Sequence, residues 1–389
     1  MSTDFHKLTQ TYLGGARTVI VKVGSALLVD DDTGEVRTHW LESLARDLAA
    51  LHLDGCTPVV VSSGAIALGR HQLGRGQGRL KLEEKQAAAA IGQIRLAKEW
   101  QSAFALFGIG TAQILLSPDD TETRRRHLNA RATIQTLLAQ GIIPVVNEND
   151  TVATMEIRYG DNDRLAARVA QMITADVLVL LSDIDGLYSA DPRQDPSARF
   201  LPEVIHIDDD ILSMAGPAHS SAASGGMITK IAAARIATTA GCHMVICSGT
   251  EPSPISQLKD GGRCTWFRAA ANPPQARKTW IAGGLTPKGR IILDDGAVKA
   301  IRSGKSLLPA GIARVEGSFE RGDLVALADQ NGAEIARGLS HYSAKDAALI
   351  AGSKSRAIPE ILGYRGRDEV IHADDLVLTY HATRGRDTP

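Results

Sequence analysis

Through the first 270 residues, short runs of β-branched and aliphatic residues alternate with longer stretches whose apolar positions recur at helical spacing. The runs Thr18–Val23, Pro58–Val61, Ile109–Leu116, Ile142–Val146, Val177–Leu181 and Met244–Cys247 predict strands. Between the first two, Leu41, Leu44, Ala45, Leu48 and Leu51 fall on one face of a helix, and Gly55 supplies its stop. Further helices are predicted over Glu83–Phe107, Glu122–Gln140, Asp163–Thr174 and Met227–Ala240. This alternation predicts an α/β fold, a mostly parallel sheet sandwiched between helices, with ligands at the carboxyl ends of the strands.

The pattern breaks at ANPPQARKTW, residues 271–280, where paired prolines and the loss of periodicity mark a linker. Beyond it the runs are short and punctuated by glycine, with helices predicted only around Asp295–Ser303 and Ala344–Gly352. The expected organisation is a larger domain over 1–270, the linker over 271–280, and a small β-rich domain with a C-terminal tail over 281–389.

Charge narrows the function classes. Lys plus Arg number 43 against 44 for Asp plus Glu, which gives no general electrostatic reason to expect nucleic acid or an acidic membrane as partner. The C-terminal region is equally balanced, with 15 Lys plus Arg against 14 Asp plus Glu over 281–389. The N-terminal stretch lacks the pattern of a secretory signal, and no apolar run reaches membrane-spanning length, so a cytoplasmic protein is expected. Cys56, Cys242, Cys247 and Cys264 form no CxxC pair and read as buried free thiols.

Two glycine patterns carry little chemistry. In LGRGQGRL, Gly74, Gly76 and Gly78 alternate, but Arg79 stands where a dinucleotide fingerprint needs its last glycine, so a surface loop is expected. Gly304-Lys305-Ser306 ends like a P-loop, yet Lys299 occupies the first glycine position.

The informative positions lie where predicted strands end. IVKVGSALL puts Lys22 beside Gly24-Ser25, at a place where an unpaired core lysine would be costly. VVVSSGAIALG ends in Ser62-Ser63-Gly64; PVVNEND ends in Asn147, Glu148, Asn149 and Asp150, and is followed by GDND at 160–163. ASGGMITK, residues 223–230, sets two glycines before a helical run with Lys230 in its first turn, which suits phosphate binding by backbone amides and the helix dipole.

With these segments in place, VKVGSALL, VVSSGAIALGR, LLSPDD, NARATIQTLL, PVVNENDTVAT, YGDNDRLAA, LLSDIDGLYSADPR and SGGMITKIAAA resemble the glutamate 5-kinases of the amino acid kinase family. LDDGAVKAI, SLLPAGI, FERGDLVAL and ILGY are similar to the PUA domain found in the longer bacterial forms. The resemblance covers nearly the whole chain in order. It implies ATP-dependent phosphorylation of the γ-carboxylate of L-glutamate to γ-glutamyl 5-phosphate, the first step of proline synthesis. It also implies an amino acid kinase fold, proline as feedback inhibitor, a homo-oligomer (dimer or tetramer), and coupling to glutamate-5-semialdehyde dehydrogenase.

By resemblance, Lys22 and Lys230 approach the transferring phosphate from two sides, and Asp163 holds them. Ser63, Asp150 and Asn162 match the glutamate positions. Lys22, Ser182, Asp183 and the loop Ser224, Gly225, Gly226, Met227, Ile228, Thr229 and Lys230 match those for ATP. Mg²⁺ is expected with the nucleotide, held by phosphate oxygens and water, with no protein ligand assigned. The chemistry fits. A γ-carboxylate with a pKa of about 4.3 is already ionised at neutral pH, so the reaction needs alignment and charge neutralisation rather than a general base.

Ser182 and Ser224 stand where Thr is usual, and Asp185 stands where a non-acidic residue is usual. Phosphorylation of aspartate, N-acetylglutamate or carbamate by a related kinase is the alternative enzyme reading, and the NEND-to-GDND spacing argues against it. RNA binding through the PUA domain is the alternative from another class, and the neutral charge balance argues against that.

Overall fold

Period-two alternation in the buried strands builds a sheet with two apolar faces, and helices from the intervening segments cover each. The computed structural model describes residues 4–74, 78, 80–152, 162–214, 226–273, 275–276 and 286–379. The chain divides into two compact units, Met1–Pro273 and Pro274–Pro389.

In the first unit, α1 (Phe5–Leu13) precedes β1 (Thr18–Val23), and α2 (Ser25–Leu28) and α3 (Thr38–Leu53) lead to β2 (Thr57–Ser62). Next come α4 (Ala65–Gln72), α5 (Leu82–Ala105), β3 (Thr111–Leu116), α6 (Pro118–Glu122), α7 (Arg124–Ala139) and β4 (Ile143–Glu148). α8 (Asn162–Ile173) precedes β5 (Val177–Ser182), followed by the short strands β6 (Leu187–Tyr188), β7 (Phe200–Leu201) and β8 (Glu203–Val204). The unit closes with α9 (Asp209–Ser213), α10 (Met227–Thr239), β9 (His243–Ser248), α11 (Pro254–Lys259) and β10 (Cys264–Phe267).

Eight strands form one sheet in the order β3-β4-β2-β1-β5-β9-β10-β8. All neighbours are parallel except the antiparallel pair β9 and β10, and β6 pairs with β7 in a separate ribbon. Val19, Val21 and Val23 of β1 face a core shared with α3, α5 and α11, whereas Ile20 faces the core of α8 and α10. By the same alternation Lys22 points to the α8/α10 face. Its register partners, Val61 of β2 and Leu180 of β5, belong to that core too.

The predicted helix over Glu122–Gln140 is α7, and a separate short helix, α6, precedes it. Ser117-Pro118 starts α6, with the Asp120 carboxylate accepting from the Ser117 amide at 2.7 Å, and Thr123 at ψ 116° breaks the chain before α7. The N-terminal helix has no counterpart among the predicted elements, nor do the strands β6, β7, β8 and β10, whose runs of two to four residues carry no readable period.

α4 and α5 cross at two facing glycines. A Cβ at Gly69 would stand 1.8 Å from the Ala88 carbonyl oxygen, and one at Gly92 1.8 Å from that of Ala65. Neither carbonyl can swing aside, because both belong to helical backbone. Gly92→Ala is therefore expected to destabilise by about 1–3 kcal/mol through overpacking, overriding the gain in helix propensity of about 1 kcal/mol. A thermal unfolding midpoint several degrees lower is the expected result, and a raised midpoint would reject this close approach.

The second unit holds a five-stranded sheet in the order β12-β11-β13-β14-β15, formed by β11 (Gly289–Leu293), β12 (Ile312–Gly317), β13 (Leu324–Ala328), β14 (Glu334–Leu339) and β15 (Leu376–Leu378). Helices α12 (Asp295–Arg302), α13 (Ala344–Ile350) and α14 (Ile358–Leu362) pack on it around Ile291, Ile301, Val325 and Ile350. The Gly304-Lys305-Ser306 triplet follows the end of α12, where Gly304 adopts φ 80°. That is the negative end of the helix dipole, the wrong end for phosphate. Gly74 and Gly78 of the other glycine pattern are exposed, and Gly76 lies outside the described residues. No described helix is long and apolar enough to cross a membrane.

Candidate active site

Three chain segments meet above the carboxyl ends of β1 and β2. Lys22 reaches up from β1, Asp163 lies in the first turn of α8, and Lys230 lies in the first turn of α10. Lys22 Nζ is 2.6 Å from Asp163 Oδ1 and Lys230 Nζ is 3.0 Å from Asp163 Oδ2. The Thr229 hydroxyl, with a single proton to give, lies 2.7 Å from the Gly226 carbonyl and 3.3 Å from the same Oδ2.

All three charged groups are buried: Asp163 is 0% exposed, and Lys22 and Lys230 are each 6% exposed. Burial by itself would raise the Asp163 pKa, but the Lys22 and Lys230 ammoniums beside it outweigh that and hold it below the usual carboxylate range. One carboxylate between two ammoniums leaves a net charge of +1. A poorly hydrated positive site of that kind favours an incoming anion.

The helix ends contribute as well. Asp163 stands at the positive end of the α8 dipole, which favours its charged form. α10 begins at Gly226, an N-cap residue with no side chain to cap the first turn; the Thr229 and Lys230 amides donate to the Gly226 carbonyl at 3.0 and 3.5 Å, so among the described residues the Met227 and Ile228 amides are the ones placed to meet a ligand. Ile228 in this turn is 42% exposed. Ser224 and Gly225 lie outside the described residues.

A second cluster adjoins the first at β2 and β4. The Asn162 amide nitrogen lies 2.9 Å from Ser63 Oγ, 3.0 Å from the Ser62 carbonyl and 2.8 Å from Asn147 Oδ1. The Ser63 amide donates to the Val23 carbonyl at 3.0 Å, which ties this turn to the end of β1. Gly64 caps α4 at φ 115°, a conformation for which glycine is suited. Asn162 and Ser63 are thus brought together.

Asp150 follows the end of β4 by two residues. It lines a cavity of about 260 Å³ with Glu148, Asn149, Thr151, Gln93 and Gln113, between α5 and the ends of β3 and β4. Asn147 connects the two places. Its Oδ1 accepts from the Glu148 amide at 2.8 Å, and its Nδ2 donates to Gln93 Oε1 at 2.8 Å. Sequence reasoning noted Asn147 only as part of a polar run and missed Gln93 entirely. The polar residue at position 93 in an alanine-rich helix was the available signal.

Ser182 ends β5, in the strand next to β1, and its hydroxyl donates to Asp183 at 3.1 Å. Ser182 is buried and Asp183 exposed, so the pair turns from the sheet edge towards solvent. Among the described residues no group of three or more His, Cys, Asp or Glu side chains is arranged to hold a metal ion.

Comparison with known proteins identifies the family of the chain. A family model described as the amino acid kinase family matches residues 17–248, and a PUA domain model matches residues 289–362. The glutamate 5-kinase of Paramagnetospirillum magneticum is 59% identical over 366 residues, covering 94% of this chain and 99% of the relative. That of Nitrobacter winogradskyi is 57% identical over 371 residues, covering 95% and 98%. Among solved structures, the chain is similar to a UMP kinase from Ureaplasma parvum at 13% identity and a TM-score of 0.46, covering 65% of this chain and 98% of that one.

Proposed function

The chain belongs to the amino acid kinase family and carries a PUA domain, and from that membership we infer its reaction. It is an ATP-dependent phosphotransferase that phosphorylates the γ-carboxylate of L-glutamate, giving γ-glutamyl 5-phosphate at the entry to proline synthesis. The observation that carries this reading is the identity of 57–59% to glutamate 5-kinases over 93% or more of the chain.

The mechanism follows from charge. Glutamate and ATP are both anions, and the transferring phosphoryl group spreads negative charge over its oxygens. Lys22 and Lys230 are proposed to neutralise that charge from opposite sides, with Asp163 fixing both ammoniums so that no reorganisation is needed at the moment of transfer. The loop Ser224–Lys230, through the first-turn amides of Met227 and Ile228, is proposed to take the nucleotide with Ser182 and Asp183. Ser63 and Asn162 orient the glutamate carboxylate, and Asp150 suits its ammonium group. Mg²⁺ is proposed to arrive on the ATP, held by phosphate oxygens and water, and to draw off part of their charge.

The catalytic domain is taken as residues 1–270, the linker as 271–280 and the PUA domain with its tail as 281–389. Buried free thiols at all four cysteines and the use of ATP suit a cytoplasmic enzyme. Proline as feedback inhibitor, assembly as a dimer or tetramer, and coupling to glutamate-5-semialdehyde dehydrogenase complete the proposal. An acyl phosphate is labile, which favours immediate consumption by a reductase.

The test is a hydroxylamine trap with ATP, Mg²⁺ and glutamate, run with and without proline. γ-Glutamyl hydroxamate formation is expected, suppressed by proline. Hydroxamate formed from aspartate but not from glutamate would overturn the substrate assignment.

A further inference from the structure

Asp185 places a negative charge on the turn that follows Ser182 and Asp183, where the proposed function puts ATP, another anion. Three residues of chain span about 10 Å at most, comparable with the Debye length of about 8–10 Å at physiological salt. An uncompensated carboxylate on this turn would therefore repel the nucleotide.

The structure supplies a compensating group from a distant part of the chain. Arg263, one residue before β10, brings Nε to 3.5 Å from Asp185 Oδ2. The Tyr188 hydroxyl donates to Asp185 Oδ1 at 2.9 Å, so both carboxylate oxygens are engaged. The guanidinium is itself held over aromatic faces, 4.2 Å from the Phe200 ring centre and 5.5 Å from that of Tyr188. Tyr188 and Phe200 pack edge to face across the β6–β7 ribbon.

A second link fixes the same turn. The Leu187 amide donates to Thr265 Oγ1 at 2.7 Å, and that hydroxyl donates to the Leu201 carbonyl at 2.5 Å. Gly186 lies so close that a Cβ there would meet Thr265 Oγ1 at 2.5 Å and the Phe200 ring at 2.7 Å. The turn is thus clamped on both sides of Gly186, by neutral hydrogen bonds on one side and by an ion pair on the other.

We propose that Arg263 is a positioning residue for the nucleotide, the counter-charge that lets Asp185 sit on the ATP-side turn and holds that turn against β10. The inference rests on the ATP assignment above and deepens it. Arg263 acts through Asp185, so its loss should matter only while the aspartate charge remains. This separates it from an arginine that touches phosphate, whose loss no change at Asp185 would repair.

The experiment measures ATP binding to the full-length protein by calorimetry and steady-state KM for ATP and for glutamate. The variants are Arg263→Gln, Asp185→Asn and the double variant, with Arg263→Lys as the conservative control. Arg263→Gln is expected to weaken ATP binding and raise KM for ATP about three- to five-fold, with kcat and KM for glutamate changed by about two-fold or less. The double variant returns ATP affinity to about two-fold of the original, and Arg263→Lys stays close to it. Unchanged affinity in Arg263→Gln, or no recovery in the double variant, overturns the proposal. Failure of the unaltered protein to phosphorylate glutamate would instead overturn the substrate assignment, and the calorimetric comparison would still decide the role of Arg263. Failure to bind ATP at all would overturn both.

Discussion

Replacing Lys230 by alanine is expected to lower kcat by about 10²–10³-fold, roughly 3–4 kcal/mol of barrier, with KM for glutamate changed by about two-fold or less. The reason lies in when the ammonium is needed. Ground-state glutamate presents one carboxylate, whereas the transition state adds charge on the phosphoryl oxygens at which Lys230 is proposed to point. Lys22→Ala should behave the same way. Because both lysines act on one transferring group, the double variant should lose much less than the product of the two single losses. Neither single variant should unfold, since Asp163 keeps one ammonium partner in each. Steady-state kinetics with ATP and glutamate varied separately provide the check. Turnover at the original rate in either variant would remove that lysine from the chemistry.

What could be read from the chain beforehand follows the length scale of each feature. Strand β1 coincides with its predicted range because Thr18–Val23 is β-branched at every position except Lys22 and is followed by Gly24-Ser25. The face on which Lys22 lies was implicit in that run, since its side chain alternates with those of Val21 and Val23. Its partner was not implicit. Asp163 is 141 positions later, and only the parallel pairing of β1 with β2 and β5 brings α8 across the end of the sheet. The resemblance supplied that pairing; periodicity did not.

The features that escaped were short or relational. Asp185 read as an unexplained extra charge, because nothing local to LSDIDGLY points to Arg263, which stands just ahead of β10, the four-residue strand antiparallel to β9. Asn147 looked like one of four equivalent polar residues, yet its amide is the one that contacts both Asn162 and Gln93. The helix predicted over Glu122–Gln140 is present as α7, but α6 ahead of it was not read, because it rests on local Ser-Pro capping chemistry rather than on an amphipathic stretch.

Removing the Asp163 carboxylate should have a larger combined effect on folding and activity than removing either lysine. Asp163→Ala leaves two ammoniums facing each other in a site where each is only 6% exposed, and breaking a buried charge pair from one side costs about 3–5 kcal/mol. Turnover should also fall sharply, because both lysines lose the group that holds them. The pH dependence distinguishes this mechanism from simple cavity formation. The Asp163 pKa is depressed in the folded protein, where burial raises it but the two lysines lower it further, so the unfolded chain binds its proton more readily. The stability it contributes is therefore fully present above the unfolded value of about 3.9 and is lost as pH falls through the lower folded value. In urea denaturation, the gap between the original protein and Asp163→Ala should be constant from about pH 5 to 8 and narrow only below about pH 4. Asp163→Asn, which keeps the shape and loses the charge, should give a gap with the same pH dependence. A gap that stays the same size down to about pH 2 would assign the loss to packing, and the charge triad would then have no part in holding the fold together.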